Sequence, residues 1–390
     1  MFYSMGMSLN VFAVYLSPIA DALSINRTTV SILPTCINLA STFGMLFAGR
    51  IYNRFSTKRV FLIAGLVMGA SYYFMSANPG LLACVLGTII LGLGKAIGST
   101  VPISILITEW FVKKRGTILG ICMMGSGFGS MVYAPIASIF VEKLGVWNAF
   151  IVHGSIMIAL AFVAFILVKN SPYDIGEVPY GLEDSGYTQK EEMLSGEMFR
   201  DVYKKKKFIG LTFVVFIVGF TITANMVHLT SFFISKGIST INAGIAMSIF
   251  GGAMIIGKLI TGLICDRWGR EKANYYMFGV VVVAFFIAFV VNSWLVIAFI
   301  FAFAYGFATP IATIAPPLWI ADLFGTIDFK RIYSNNTAMY MIGSAVGTMF
   351  IGFIVDITGS YLPSFAFSIL LCLSGLVIMK NIYRSRATVI

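Results

Sequence analysis

The chain has 390 residues, 58% of them hydrophobic and only 11% charged, with a formal net charge of +11. An ordinary soluble domain carries roughly 25% charged residues, so this composition excludes a soluble globular fold and indicates a chain built to live in lipid. The positive balance does not indicate nucleic acid either, because the basic residues fall between apolar stretches instead of along one face.

A helix rising 1.5 Å per residue needs about 20 residues to cross a hydrocarbon core roughly 30 Å thick. Twelve apolar stretches of that kind predict spans near residues 2–22, 28–50, 60–77, 81–109, 116–140, 147–168, 208–235, 239–265, 273–292, 294–321, 334–356 and 361–382. The alternating ten-residue pattern of a membrane β-barrel is absent. The expected fold class is therefore all-α, a polytopic membrane protein with twelve transmembrane helices.

Span one carries Asn10 and Tyr15. Its opening run, MFYSMGMSLNVFAVYLSP, reaches Pro18 after 17 residues and has no basic anchor. That predicts a short first helix, or an N-terminally extended form that expresses and transports better. The run also lacks the basic start of a cleavable signal peptide. Span two ends in GRIYNRFSTKR (49–59), which contains Arg54.

Span four contains IILGLGKAIGSTVPI (89–103), with Lys95 fourteen residues from both Leu81 and Glu109 and Thr100 just beyond it. A charge near the bilayer midplane costs roughly 2.5–3.5 kcal/mol on insertion scales. Gly116, Gly120, Gly125 and Gly129 in span five, with Gly343 and Gly347 in span eleven, permit close helix contacts, either sliding contacts between halves or ordinary tight packing. His153 in span six reads as structural.

Residues 169–207 form the one long polar segment, with eight acidic residues, and divide six spans from six. The predicted organisation is an N-terminal bundle (1–168), a linker (169–207) and a C-terminal bundle (208–390). Span seven brings Asn225 and His228, span ten Tyr305, and span eleven Tyr340. Span eight brings Lys258, eight residues and about 12 Å before Asp266 at its end. No Asp or Glu lies deep in any span, so both lysines lack an intramembrane carboxylate to pair with. A central cavity with two cations attracts a small anion, which would then arrive from outside as substrate. Asn10, Tyr15, Thr100, Asn225, His228 and Tyr305 each read equally as substrate contacts or as bonds between helices. The five cysteines lie in or at the ends of apolar spans without metal or disulfide spacing.

With both termini on one side, that side holds 22 of the 27 lysines and arginines, which predicts cytoplasmic termini in a cell membrane. The halves also repeat. GRIYNRFSTKR superposes on GLICDRWGREK (262–272) with a shift of 213, and the same shift carries Glu109 to Asp322 and Phe111 to Phe324. GVWNAF (145–150) matches GSYLPSF (359–365) at a shift one greater. Such spacing predicts two pseudo-symmetric six-helix bundles.

GLICDRWGREK resembles the loop signature of the major facilitator superfamily, with Gly262, Asp266, Arg267, Gly269 and Arg270 in place. The first-half copy departs from it, with Asn53 for the acid and Ser56 for the second glycine. EWFVKKRGTILGICMMGSGFGS, SPYDIGEVPYG and HLTSFFISKGISTINAGIAMSIFGGAMIIGKLITGLICDRWGR are similar to the monocarboxylate-transporter and oxalate:formate-antiporter-like group. The resemblance implies alternating access, with Asp266, Arg267, Gly269, Arg270 and the weaker Arg54 copy forming a cytoplasmic latch. Asp266 is expected to meet a helix N-terminus and pair with an arginine. Lys258 stands where that group usually has a carboxylate-binding arginine. Tyr340 stands where the antiporters have a lysine, so Lys95 replaces the missing second charge. Tyr15 and His228 match polar positions of the group.

The expected function is secondary transport of small organic anions by a monomer with no cofactor and no nucleic-acid partner. No nucleotide-binding or hydrolytic motif is present, which argues against ATP-driven pumping or an enzyme. The alternatives are a carboxylate sensor that keeps the fold without completing the cycle, and a facilitator of another small solute.

Overall fold

The computed structural model describes residues 1–30, 32–182 and 196–387, without the side chains of residues 9, 10, 13, 27, 28, 130, 240, 241 and 385–387. Ten helices among them are long and apolar enough to cross a membrane. One, Arg115–Leu167, is 53 residues long, more than twice what a bilayer needs, and it turns at Gly145, where φ is 76°. The first segment adds a π-helix, Phe2–Asn10, followed by Ala13–Leu23. The twelve expected spans are thus accounted for, and their ends lie within a few residues of the predicted ones.

Several spans read as continuous are interrupted. Span four is Leu81–Gly98 and Thr100–Trp110, broken at Ser99, whose φ and ψ are −96° and −114°. Pro102 sits in the first turn of the second piece, where a missing N–H costs nothing. Span ten is Leu295–Ala308, a 3₁₀ turn Thr309–Ala312, and Ala315–Phe324, with Pro316 and Pro317 again in a first turn. Span seven runs Lys206–Val218, Ala224–Ser235, with a π-helical Gly219–Thr223 between. The shift of 213 relates Ser99 to Ala312 and Gly6, within the first π-helix, to Gly219. The repeat therefore extends to backbone interruptions.

The chain forms two compact units. One comprises Met1–Val112 and Cys122–Gln189, the other Lys113–Ile121 and Lys190–Ile390. Helices in both are held by backbone-to-backbone approach, since lipid gives them no hydrophobic drive to associate. In the first unit a Cβ on Gly129 would meet the Phe2 carbonyl oxygen at 2.6 Å. In the second, a Cβ on Gly343 would overlap the Phe216 carbonyl. The pair repeats at a shift of 214, so Gly129 and Gly343 serve span-one and span-seven packing inside their own units. Gly44 and Gly257 also correspond at 213, and each packs on the fourth helix of its unit, Gly44 against Ala96 and Gly257 against Phe307, two residues out of exact register.

Both described ends of the linker are tied down. Val112 N–H donates to Tyr180 O, and Tyr180 N–H to Trp110 O, each at 2.9 Å. In the second unit Glu197 N–H donates to Phe324 O at 2.9 Å and Phe199 N–H to Asp328 Oδ2 at 2.9 Å.

Candidate substrate and gating sites

Lys95 is 3% exposed and occupies the last turn of the half-helix Leu81–Gly98. The unbonded carbonyls of that end carry partial negative charge, which favours a cation there. Its ammonium donates to the amide oxygen of Asn38, in helix Ile32–Arg54, at 3.2 Å. The surrounding seam is tight: Ser41 Oγ donates to Gly92 O at 2.8 Å, and the Tyr52 hydroxyl caps the Ile97 carbonyl beside the break. Asn38 and Tyr52 were not singled out in the sequence. The signal for Asn38 was present, an amide seven residues inside an apolar helix. Thr100 begins the second half-helix, whose N-terminal end faces the break and carries the opposite partial charge.

Lys258 is also 3% exposed and lies in helix Thr240–Trp268, directly after Gly257. Its carbonyl oxygen lies against Gly120, where a Cβ would come within 2.5 Å. Lys95 thus lies on the seam between second and fourth helix of its unit, whereas the Lys258 backbone borders the start of span five.

The neutral candidates divide. Tyr305 and Tyr340 converge on the π-helical turn of span seven: the Tyr305 hydroxyl donates to Ile222 O, and the Tyr340 and Thr223 hydroxyls bond each other. A π-turn disturbs the regular i to i−4 ladder, and these hydroxyls brace it. Thr223 is a further residue that sequence reasoning passed over. Asn225 is 2% exposed and spends its amide on Thr221 O at 2.7 Å and Ser368 Oγ at 2.9 Å, so it ties span seven to span twelve. His228 is half-buried, with Nε2 3.1 Å from Thr348 O. Tyr15 is fully buried and bonds His153 Nδ1 at 2.8 Å, within rings from Phe12, Tyr72 and Phe150. Tyr15, Asn225 and Tyr305 thus each bond across helices. The side chain of Asn10 lies outside the described residues.

At the end of span eight, Asp266 Oδ1 accepts from Gly116 N–H at 2.8 Å, while Oδ2 accepts from Thr117 N–H and Thr117 Oγ1 at 2.7 Å each. A carboxylate at the first turn of helix Arg115–Leu167 meets the positive end of its dipole through charge-assisted bonds. The expected arginine pairing is not there: among the described residues no ion pair joins Asp266 to Arg267 or Arg270. Both carboxylate oxygens are already taken by the helix end. Gly116 and Gly262 lie backbone to backbone beneath this contact, where a Cβ on Gly116 would meet Gly262 O at 2.6 Å. Gly269 takes φ 78° at the turn out of span eight. The first-half copy differs where the sequence does. Ser56, the counterpart of Gly269, has φ −63°, and Asn53 and Arg54 are exposed.

Two repeated six-helix bundles with interrupted first and fourth members, and buried cations at their helix seams, define a polytopic transporter. The chain belongs to the Major Facilitator Superfamily, whose family model matches residues 1–326 and 211–388. It is 22% identical to the MFS-type transporter YhjX of Escherichia coli (strain K12), covering 78% of this chain and 76% of that one. It is 24% identical to Monocarboxylate transporter 12 of Xenopus laevis, covering 86% of this chain and 76% of that one. Among solved structures, the transporter FucP in the outward conformation matches with TM-score 0.76 and 13% identity over 98% of this chain and 96% of that one. The proton:xylose symporter XylE matches with TM-score 0.74 and 13% identity over 97% and 93%. The protein is thus a multi-pass membrane transporter of this family and not an enzyme.

Proposed function

We propose that this transporter moves small organic anions, monocarboxylates or dicarboxylates such as oxalate and formate, with Lys95 and Lys258 supplying the attraction. The observation that carries this reading is Lys95: an ammonium at 3% exposure whose acceptor is the uncharged Asn38 amide. A neutral acceptor and the helix-end carbonyls compensate the charge only in part, and an incoming carboxylate completes it. The similarity to Monocarboxylate transporter 12 supports the same substrate class. Thr100 and His228 are the neutral candidates that would add hydrogen bonds to the ligand. Tyr340, braced by Thr223, shapes the turn that such a ligand would meet. Tyr15, Asn225 and Tyr305 hold helices in register, and Asn10 completes the candidate set.

In this reading both termini are cytoplasmic and the chain works as a monomer, with bundles 1–168 and 208–390 joined by the linker 169–207. Asp266 holds the start of span five to the end of span eight, and release of that carboxylate accompanies opening. Gly269 and Arg270 shape and charge the turn beside the exposed Arg267, and Arg54 is exposed on the first-half copy of that loop. The test is proteoliposome uptake with a competition panel of formate, lactate, pyruvate, oxalate and neutral amides. Inhibition by the acids and not by the amides is expected. Saturable binding without flux would establish a sensor, and competition by amides or sugars alone would remove the carboxylate reading.

A further inference from the structure

A groove of about 390 Å³ runs between the starts of spans seven and eleven, lined by Phe208, Ile209, Thr212, Phe213, Phe216 and Met339. From Phe208 to Phe216 it follows eight residues of helix, about 12 Å at 1.5 Å per residue. Ile209 and Phe213 are 58% and 49% exposed, so the protein leaves this apolar wall uncovered. The one polar atom in the wall, Thr212 Oγ1, is buried and has no hydrogen-bond partner.

The mouth of the groove is cationic. Four lysines, Lys204–Lys207, lead into helix Lys206–Val218. Lys205 is neutralised by Glu197, and Lys204 lies over the Tyr203 ring at 5.3 Å. Lys206 and Lys207 have no such partner among the described residues. Span eleven contributes from the other side. The Arg331 guanidinium lies 4.7 Å from the Phe199 ring centroid, and Phe199 packs edge-to-face on Phe208, the first residue of the wall. Lys206 and Lys207, the two residues before Phe208, with Arg331 and the helix N-terminus, thus put positive charge at the Phe208 end of an apolar channel with one unanswered hydroxyl.

We propose that this groove binds one anionic phospholipid, its phosphate held by Lys206, Lys207 and Arg331 and one acyl chain laid along Phe208–Phe216 towards Met339. Charge complementarity selects the occupant: a zwitterionic lipid would supply the same tail but bring its own cation to a cationic mouth. The Thr212 hydroxyl lies about 9 Å along the helix from Lys206, below the phosphate, where it can donate to a glycerol ester carbonyl. The proposal is independent of the transported substrate.

Native mass spectrometry of the full chain, purified and delipidated in detergent, tests it with palmitoyl-oleoyl-phosphatidylglycerol and phosphatidylcholine of the same chains. Each basic residue near an anionic headgroup contributes about fivefold in affinity, the equivalent of ~1 kcal/mol. The wild type should therefore retain phosphatidylglycerol at least tenfold better, and a Lys206→Gln, Lys207→Gln, Arg331→Gln triple variant should lose the preference. Met339→Trp, which fills the groove, should reduce retention of both lipids while the charge preference of what remains persists. Equal retention of the two lipids by the wild type, an unchanged preference in the triple variant, or displacement by soluble glycerol 3-phosphate would each overturn the proposal. The wild-type comparison stands even where a variant fails to fold.

Discussion

Replacing Lys95 with glutamine separates what the amine does for the fold from what it does for the ligand. Glutamine is nearly as long as lysine and still donates to Asn38, so the 3.2 Å contact between spans two and four has a neutral substitute. In the empty protein the ammonium costs roughly 2.5–3.5 kcal/mol for its depth. Its bond to a neutral acceptor returns about 1.5–3 kcal/mol, and the amide pair that replaces it about 1 kcal/mol. The sums nearly cancel for the wild type and favour the variant slightly. Lys95→Gln should therefore melt at the same temperature or a few degrees higher in detergent. Carboxylate affinity moves the other way. Losing one charge-assisted bond of about 1.5–3 kcal/mol weakens binding roughly 10- to 150-fold. Scintillation proximity binding on purified protein, with uptake in proteoliposomes, reads the ligand side, and a thermal melt reads the fold side. A variant that binds carboxylates like the wild type, or that unfolds at a much lower temperature, would refute the reasoning, since in either case the charge serves the fold.

Asn38→Asp places a permanent carboxylate beside Lys95. It should raise the melting temperature while lowering substrate affinity at least tenfold, and unaltered affinity in binding assays would count against a shared site. Asp266→Asn leaves at least one of the Gly116 and Thr117 donors without its anionic acceptor. About 1–3 kcal/mol of closure is lost, seen as increased thiol labelling of the native Cys265, 1% exposed, with the other four cysteines replaced by serine or alanine; labelling at the rate seen with Asp266 intact would exclude a latch. Gly129→Leu and Gly343→Leu each drive a side chain into a carbonyl of the neighbouring helix, Phe2 and Phe216 respectively. Both should abolish a monodisperse elution peak, and a folded, active Gly129→Leu would mean that the packing of span one is not needed.

The spans were legible because length and apolarity alone decide what crosses a membrane, and the repeat because its landmark loops kept one offset. The interruptions were not. The residues around Ser99 differ little in polarity from an intact helix, and only the spacing of Gly98, Ser99 and Pro102 hints at a break. Gly145 was better marked, since a turn between two helices calls for left-handed backbone. At the sites, the depth of Lys95 could be counted from the span ends, but its partner could not. Asn38 is one of several polar residues in span two, and only packing shows which faces span four. Asp266 was found from its motif and its acceptor role was foreseen, yet the choice of a helix end over a neighbouring arginine depends on how close the Gly116 and Gly262 backbones come.

The matched breaks in spans one and seven, and in four and ten, say something about history. Two descendants of one ancestral unit have drifted apart at most side chains, so that Lys95 corresponds to Ala308, yet their joints stayed where they were. Backbone breaks and the side chains beside them have therefore diverged independently. On the function proposed above, a new specificity would need only a changed residue beside a joint already in place.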